Sequence, residues 1–373
     1  MKLAVVSPLP PDRSGVADFA ERLIEELSSR ATVEARRSGD ADWLRSADLR
    51  LYQLGNNILH EGAYRAALAV PGVVELHDAV LHHLMLGLLG EDDYVAEHVY
   101  ERGEWARGEA QRLWARRGLA SSDEAFFARP LIKRVADAAQ AVIVHNPGAR
   151  RAVESVAPET RVEEIPHFVD VPKEPSAETV QRARATLGVG EAELLVGCFG
   201  FQRPSKRLRS VFRAAERVAG ARVLVAGEFV SRDYQASLAP WLGTPLVIRR
   251  EYAPEAELRE LASAVDVCVN LRYPAAGETS GIAMRLMGLG KPVAVTACPE
   301  TEGYPEGTVL RVDSGEAEEG MLTETLALLR SRPEVGRAVG AAGRRLLADR
   351  HAMPVVIKRY WELFGEIAGQ AAF

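Results

Sequence analysis

Short apolar runs alternating with helical segments constrain this chain more than any other feature of its sequence. Leu3 to Val6 and residues 48–54, 72–78 and 141–145 read as strands in the first half. Residues 194–200, 222–227, 245–248, 265–271 and 292–296 do so in the second. Their apolar residues are consecutive rather than alternate, as in strands covered on both faces. Helical periods separate most of them. In the first such period Val16, Phe19, Ala20, Leu23, Ile24 and Leu27 share one face. Strand–helix alternation of this kind predicts parallel sheets with helices on both sides.

The rhythm pauses at residues 171–186 and then restarts. Two doubly wound, Rossmann-like α/β domains facing a cleft are therefore expected, over residues 1–170 and 171–353. The amphipathic, aromatic segment 354–373 should form a helix that packs back on the first domain. The 373 residues suit about two domains at ~150 residues each.

Residues 80–138 read as a long helical insertion between two strands. Val99, Gly103, Ala106, Ala110 and Leu113 share a stripe, and Glu104/Arg107 and Glu109/Arg112 are opposite charges three residues apart. A solvated, salt-bridged helix is the plain reading. Trp105, Trp114, Arg112, Arg116 and Arg117 leave open an acceptor-binding or peripheral membrane-surface element.

Composition excludes several classes. With 47% hydrophobic and 26% charged residues, the chain is neither disordered nor fibrous. A net charge of -6 provides no global basic field, so no nucleic-acid partner is expected. Cys198, Cys268 and Cys298 are too dispersed for a disulfide framework or a zinc knuckle, and the first two lie in apolar runs. No run approaches the ~20 apolar residues of a membrane span, and the N-terminal stretch lacks a signal-peptide pattern. A cytoplasmic location is the expectation.

Ligands of open α/β sheets bind beyond the carboxyl ends of strands, so the loops after strands hold the candidate chemistry. Gly15 closes the first strand-to-helix loop, where backbone N–H groups can hold a phosphate. The dinucleotide pattern GxGxxG is absent, and Gly288 to Val293 is no P-loop because Pro292 follows Lys291. After the strand ending at Gly200 comes a cationic loop containing Arg203, Lys206 and Arg207, suited to a diphosphate. His77 stands at a strand end, where it could bond a sugar hydroxyl or a carbonyl, and Asp78 could hold its imidazole or act as a base. No third ligand is evident near these residues, so no metal site is expected. Glu278 beside Thr279, Ser280 and Gly281 combines a hydroxyl-accepting carboxylate with backbone N–H groups at a helix start.

Taken in order, SPLPPDRSGVADF, VVELHDAVLHH, IPHFVD, GCFGFQRPSKRL, NLRYPAAGETSG and LGKPVAV resemble the family 4-like glycosyltransferases of GT-B fold. The resemblance implies an enzyme of carbohydrate biosynthesis: a retaining, metal-independent, hexosyltransferase-type transfer from a nucleotide-sugar to an unidentified acceptor. The donor is the substrate, and no cofactor is implied. His77, Lys206 and Glu278 match the family's catalytic positions. Gly15 falls at the family's loop near the donor phosphates; Arg203 or Arg207 could stand in for a missing family Arg, and the backbone N–H groups of Thr279, Ser280 and Gly281 could hold phosphate oxygens. His167, in the place of a frequent Asn, and Asp78 are further candidates. Two positions depart from the pattern. Phe201 replaces an Arg five residues before the Lys, and Arg285 stands where a second Glu usually binds the ribose. Glu300 or Glu302 could take that role. A GT-B epimerase or phosphorylase, or a non-catalytic nucleotide-sugar-binding subunit, are the competing expectations.

Overall fold

The computed structural model describes residues 1–251 and 254–369. Residues 370–373, the end of the expected terminal helix, lie outside the described residues. The chain forms two compact units. The first comprises Met1–His167, Pro274–Thr279 and Met353–Phe373, and the second Phe168–Tyr273 and Ser280–Ala352. The segment 274–279, although within the stretch expected to be C-terminal domain, groups with the first unit.

The first unit holds one parallel sheet. Its strands are β1 (Lys2–Val6), β2 (Thr32–Arg36), β3 (Leu49–Leu54), β4 (Val73–Leu76), β5 (Ala141–Val144) and β6 (Val162–Glu164), in the order β2-β1-β3-β4-β5-β6. β4 and β5 are buried at every residue, which is why they read as unbroken apolar runs. Register pairs Leu76 with Val144. The residues that follow, His77 and His145, therefore leave the sheet side by side, their rings 5.1 Å apart. Ser14 caps the helix Gly15–Leu27 through its hydroxyl, which accepts from the Ala17 N–H at 3.0 Å. The terminal helix Met353–Ile367 buries Val356, Tyr360, Trp361 and Phe364 in this unit.

The second unit holds β7 (Leu194–Phe199), β8 (Ala221–Ala226), β9 (Val247–Arg250), β10 (Val267–Asn270), β11 (Val293–Thr296) and β12 (Leu310–Val312), also parallel, in the order β12-β11-β10-β7-β8-β9. The chain winds outward from β7 through β8 to β9, then returns to the other side of β7 as β10. That reversal puts a crevice beyond the carboxyl ends of β7 and β10, where doubly wound folds bind their ligands. In the first sheet the reversal falls between β1 and β3. Cys198 and Cys268 are buried thiols, as their apolar settings predict.

Two expectations about the insertion change. Residues 80–138 are a series of short elements, including His82–Leu88, Glu91–Arg102, Arg107–Ala115 and Lys133–Ala138, rather than one long helix. Gly103 interrupts the expected stripe with a φ of 87°, a conformation that favours glycine. Glu104 and Arg107 do pair, at 2.8 Å. Glu109 pairs with Arg129 at 2.6 Å instead of with Arg112, because the returning chain brings a closer cation. No described helix is long and apolar enough to cross a membrane.

Candidate active site

In the second unit β7 delivers the cationic loop. Gly200 follows it with a φ of +81°, and the turn Pro204–Lys206 folds the Lys206 side chain back beneath it. A Cβ on Gly200 would lie 3.2 Å from Lys206 Nζ, so the glycine keeps that approach open. The Lys206 ammonium is buried and donates to the Phe199 carbonyl. Burial, followed by the charges of Arg272 and Arg203, pushes its pKa down to about 7. A buried, half-neutralised lysine beside two guanidinium groups is poised for an anion.

Arg272, just beyond β10, was not singled out from the sequence. Its backbone N–H donates to Thr296 Oγ1 at 2.9 Å, and its guanidinium to Ser280 Oγ at 3.0 Å. The Tyr273 N–H donates to the Ser205 carbonyl at 2.9 Å, which ties the loop after β10 to the turn after β7. The cations of the second unit thus meet at its topological switch point. Ser280 is a helix cap as well: its hydroxyl accepts from Asn270 Nδ2 at 2.8 Å and from the Ala283 N–H at 3.3 Å. Gly281 opens the helix Gly281–Gly288, and Arg285 lies on that helix's exposed side.

Arg207 does not join this set as expected. Its Nε donates to both oxygens of Glu318, at 2.9 and 3.2 Å, and Glu318 is 1% exposed. A fully buried carboxylate requires a counter-charge, so Arg207 serves the packing of helix Leu208–Glu216 against Glu318–Ser331. Arg203 is exposed at the loop surface. Glu300 follows β11 in a short turn, and one of its carboxylate oxygens is buried without a hydrogen-bond partner. Glu302 ends the same turn.

The first unit places His77, Asp78, His167, Gly15, Glu278 and Thr279. The His77 N–H donates to the Leu54 carbonyl at 2.8 Å. Its ring packs edge-on against Phe19, centroids 4.8 Å apart, and Phe19 also meets His167 at 4.7 Å. Burial first, then the neighbouring histidines His145 and His167, holds His77 well below the usual histidine range, so its imidazole is neutral. Asp78 accepts from the Asn56 N–H at 2.7 Å. Gly15 is exposed, and a Cβ there would meet nothing within 4 Å.

Glu278 sits in a loop built by a residue the sequence reading passed over. Asn146 is buried. It donates to the Gly277 carbonyl at 2.9 Å and to Thr279 Oγ1 at 3.0 Å, while its own oxygen caps the helix Pro147–Val156 through the Ala149 N–H at 2.8 Å. The Val80 N–H donates to the Ala276 carbonyl at 3.0 Å. Glu278 Oε2 accepts from the Ala276 N–H at 2.7 Å. The loop carrying Glu278 is therefore fastened beside the residues that follow β4 and β5. An Asn after a strand is an ordinary helix cap by pattern, which is why Asn146 gave no signal. His82, by contrast, is structural: it is buried against Tyr94, accompanied by the Arg129 carbonyl at 3.2 Å.

Comparison with solved structures identifies the architecture. The chain is similar to sucrose-phosphate synthase from Thermosynechococcus elongatus, with a TM-score of 0.73, 15% identity and 99% of each chain covered. It is similar to Anabaena Alr3699/HepE in complex with UDP and glucose, with a TM-score of 0.70 and 14% identity over 98% of this chain and 100% of that one. WaaG, a glycosyltransferase involved in lipopolysaccharide biosynthesis, matches with a TM-score of 0.64 and 14% identity over 99% and 100%. Two parallel six-stranded sheets flanked by helices, as in these proteins, make this a GT-B fold with two Rossmann-like domains. No protein-family model matches the sequence, and no curated protein matches it significantly.

Proposed function

We propose that this protein is a retaining, metal-independent glycosyltransferase that takes a sugar from a nucleoside-diphosphate donor of the UDP-sugar class. The observation that carries the reading is the buried Lys206 after β7 and Arg272 after β10, in loops joined by the Tyr273 N–H to the Ser205 carbonyl. Transfer generates a nucleoside diphosphate whose terminal phosphate gains negative charge as the glycosidic bond breaks. Cations already fixed in a desolvated pocket stabilise that charge without reorganising, and a lysine at its lowered pKa regains its proton as the charge develops. No metal is needed for that step. The family resemblance supports assigning the neutral imidazole of His77 and the carboxylate of Glu278 to hydroxyls of the transferred sugar. Anabaena HepE has been solved in complex with UDP, with UDP and glucose, and with UDP-glucose, which supports the donor class.

The test is incubation with a panel of nucleotide-sugars and candidate acceptors in EDTA, with the product's anomeric configuration read by NMR. Transfer with retention and release of nucleoside diphosphate is expected. Turnover only on adding a divalent metal, or an inverted product, would refute the corresponding part. Donor binding by calorimetry without turnover on any acceptor would favour a nucleotide-sugar-binding subunit.

A further inference from the structure

Around His77 the first unit buries polar side chains, Glu75, Gln53, His145 and Tyr360, to which the proposed transfer gives no role. Glu75 points inward from the middle of β4 and is 0% exposed, a costly position for a carboxylate. Gln53 Nε2 donates to its Oε2 at 2.8 Å, and the Tyr360 hydroxyl, from the terminal helix, donates to its Oε1. His145 Nε2 lies 3.2 Å from the same Oε1. The other ring nitrogen of His145, Nδ1, faces the Ile165 carbonyl at 2.9 Å. A carbonyl only accepts, so Nδ1 carries a hydrogen, and the buried Nε2 makes no hydrogen bond although it lies beside the carboxylate. His77 Nε2, alongside, is buried and has no hydrogen-bond partner. The three donor atoms lie within 4.8 Å of one another.

We propose that Glu75, His77 and His145 bind a divalent transition metal of the zinc class. Two imidazole nitrogens and one carboxylate are a zinc donor set, which leaves a fourth position for water or a ligand. Zinc bonds of ~2.0–2.1 Å at tetrahedral angles separate ligand atoms by about 3.3 Å, close to the 3.2 Å between His145 Nε2 and Glu75 Oε1. A cation there takes the unpartnered nitrogens of both histidines, with the donor atoms drawn together from their present spread of up to 4.8 Å. The outer contacts are those of a ligating set. His145 gives its Nδ1 hydrogen to a backbone carbonyl, and both oxygens of Glu75 are held by neighbouring donors. Glu75 lies in β4, and His77 and His145 directly follow the register-paired strands β4 and β5, which fixes their spacing. Magnesium, which demands an oxygen shell, does not suit two imidazoles.

The site stands on geometry and does not depend on the transfer reaction. The full-length protein, stripped with a chelator, is titrated with Zn²⁺ against a chromophoric chelator, and with Co²⁺ for its visible absorption. One ion per chain is expected, undisturbed by excess Mg²⁺. His145→Ala and Glu75→Gln should each weaken binding by at least ~100-fold. Tyr360→Phe keeps the packing but removes one outer contact, and should weaken it about tenfold. Circular dichroism identifies any variant that does not fold, and Tyr360→Phe and His145→Gln then carry the comparison. Absence of stoichiometric binding, or zinc affinity identical in wild type, His145→Gln and Tyr360→Phe, overturns the proposal.

Discussion

If Lys206 meets the donor diphosphate as proposed, donor binding takes up a proton, and the size of the effect follows from the lysine's environment. Its pKa is pushed from 10.5 down to about 7, first by burial and then by Arg272. Keeping that ammonium charged in the empty site costs about 5 kcal/mol, at 1.36 kcal/mol per pKa unit. A bound diphosphate supplies the missing counter-charge and returns the pKa toward its ordinary value. At pH 8 the free lysine is then about nine-tenths neutral and the bound one almost wholly charged, so binding takes up about 0.9 proton. At pH 6 the uptake falls to about 0.1. The dissociation constant of UDP should rise nearly tenfold per pH unit above pH 8 and level off below pH 6. Calorimetry at pH 8 in buffers of different ionisation enthalpy reads the proton count directly. The linkage should vanish in Lys206→Met. A binding enthalpy independent of the buffer in wild type would show that Lys206 does not meet the phosphates. The sign for stability follows from the same shift. Between about pH 7 and 10.5 the unfolded chain binds more protons than the folded one, so this residue's contribution rises with pH across that window.

Removing Lys206 as Lys206→Ala should lower turnover by about 10²–10³, the loss seen when one fixed donor to a developing anion is deleted, with no fall in melting temperature because the buried cation goes with it. Arg207→Ala leaves Glu318 as a buried, uncompensated carboxylate and should cost about 3 kcal/mol by urea unfolding, with donor affinity unchanged; a loss of UDP affinity at full stability would restore Arg207 to the donor site. Asn146→Ala deletes a helix cap and two fastenings of the 274–279 loop, so about 2 kcal/mol of stability and much of kcat should go together; unchanged kcat in the folded variant would separate the loop from catalysis. Gly277→Ala puts a Cβ 2.5 Å from that of Ala79 at a φ of +79°, and should cost about 2 kcal/mol or more; an unshifted melting curve would contradict that packing.

What could be read from the sequence was decided by burial. β1, β4, β5, β7 and β10 are apolar at nearly every position because both their faces are covered, and each stands out in the sequence. β2, β6 and β12 do not. They are sheet edges, and their residues TVEAR, VEE and LRV mix polar with apolar side chains because part of each strand meets water. The insertion departs from its sequence pattern for a related cause. A helical stripe runs through Gly103 on paper, but a positive φ ends the helix there, and periodicity alone carries no information on φ.

The site residues divide along the same line between local and non-local information. His77, Lys206 and Glu278 follow strands or open turns, so their neighbours in the chain mark them. Arg272 has equal standing in the cation cluster, yet nothing local distinguishes it from any arginine after a strand. Its importance arises because β10 returns to the far side of β7 rather than continuing beyond β9, which is a property of strand order. Glu75 and His145 are hidden in the same way. Each sits in an apolar run where a polar residue looks like an isolated exception, and only the pairing of β4 with β5 sets the two exceptions beside one another and beside His77. Arg207 shows the converse. It lies in the motif and carries the right charge, but a glutamate from a distant helix claims it. A motif can therefore nominate a charge, while the partners the fold brings to it decide whether that charge is available to a ligand.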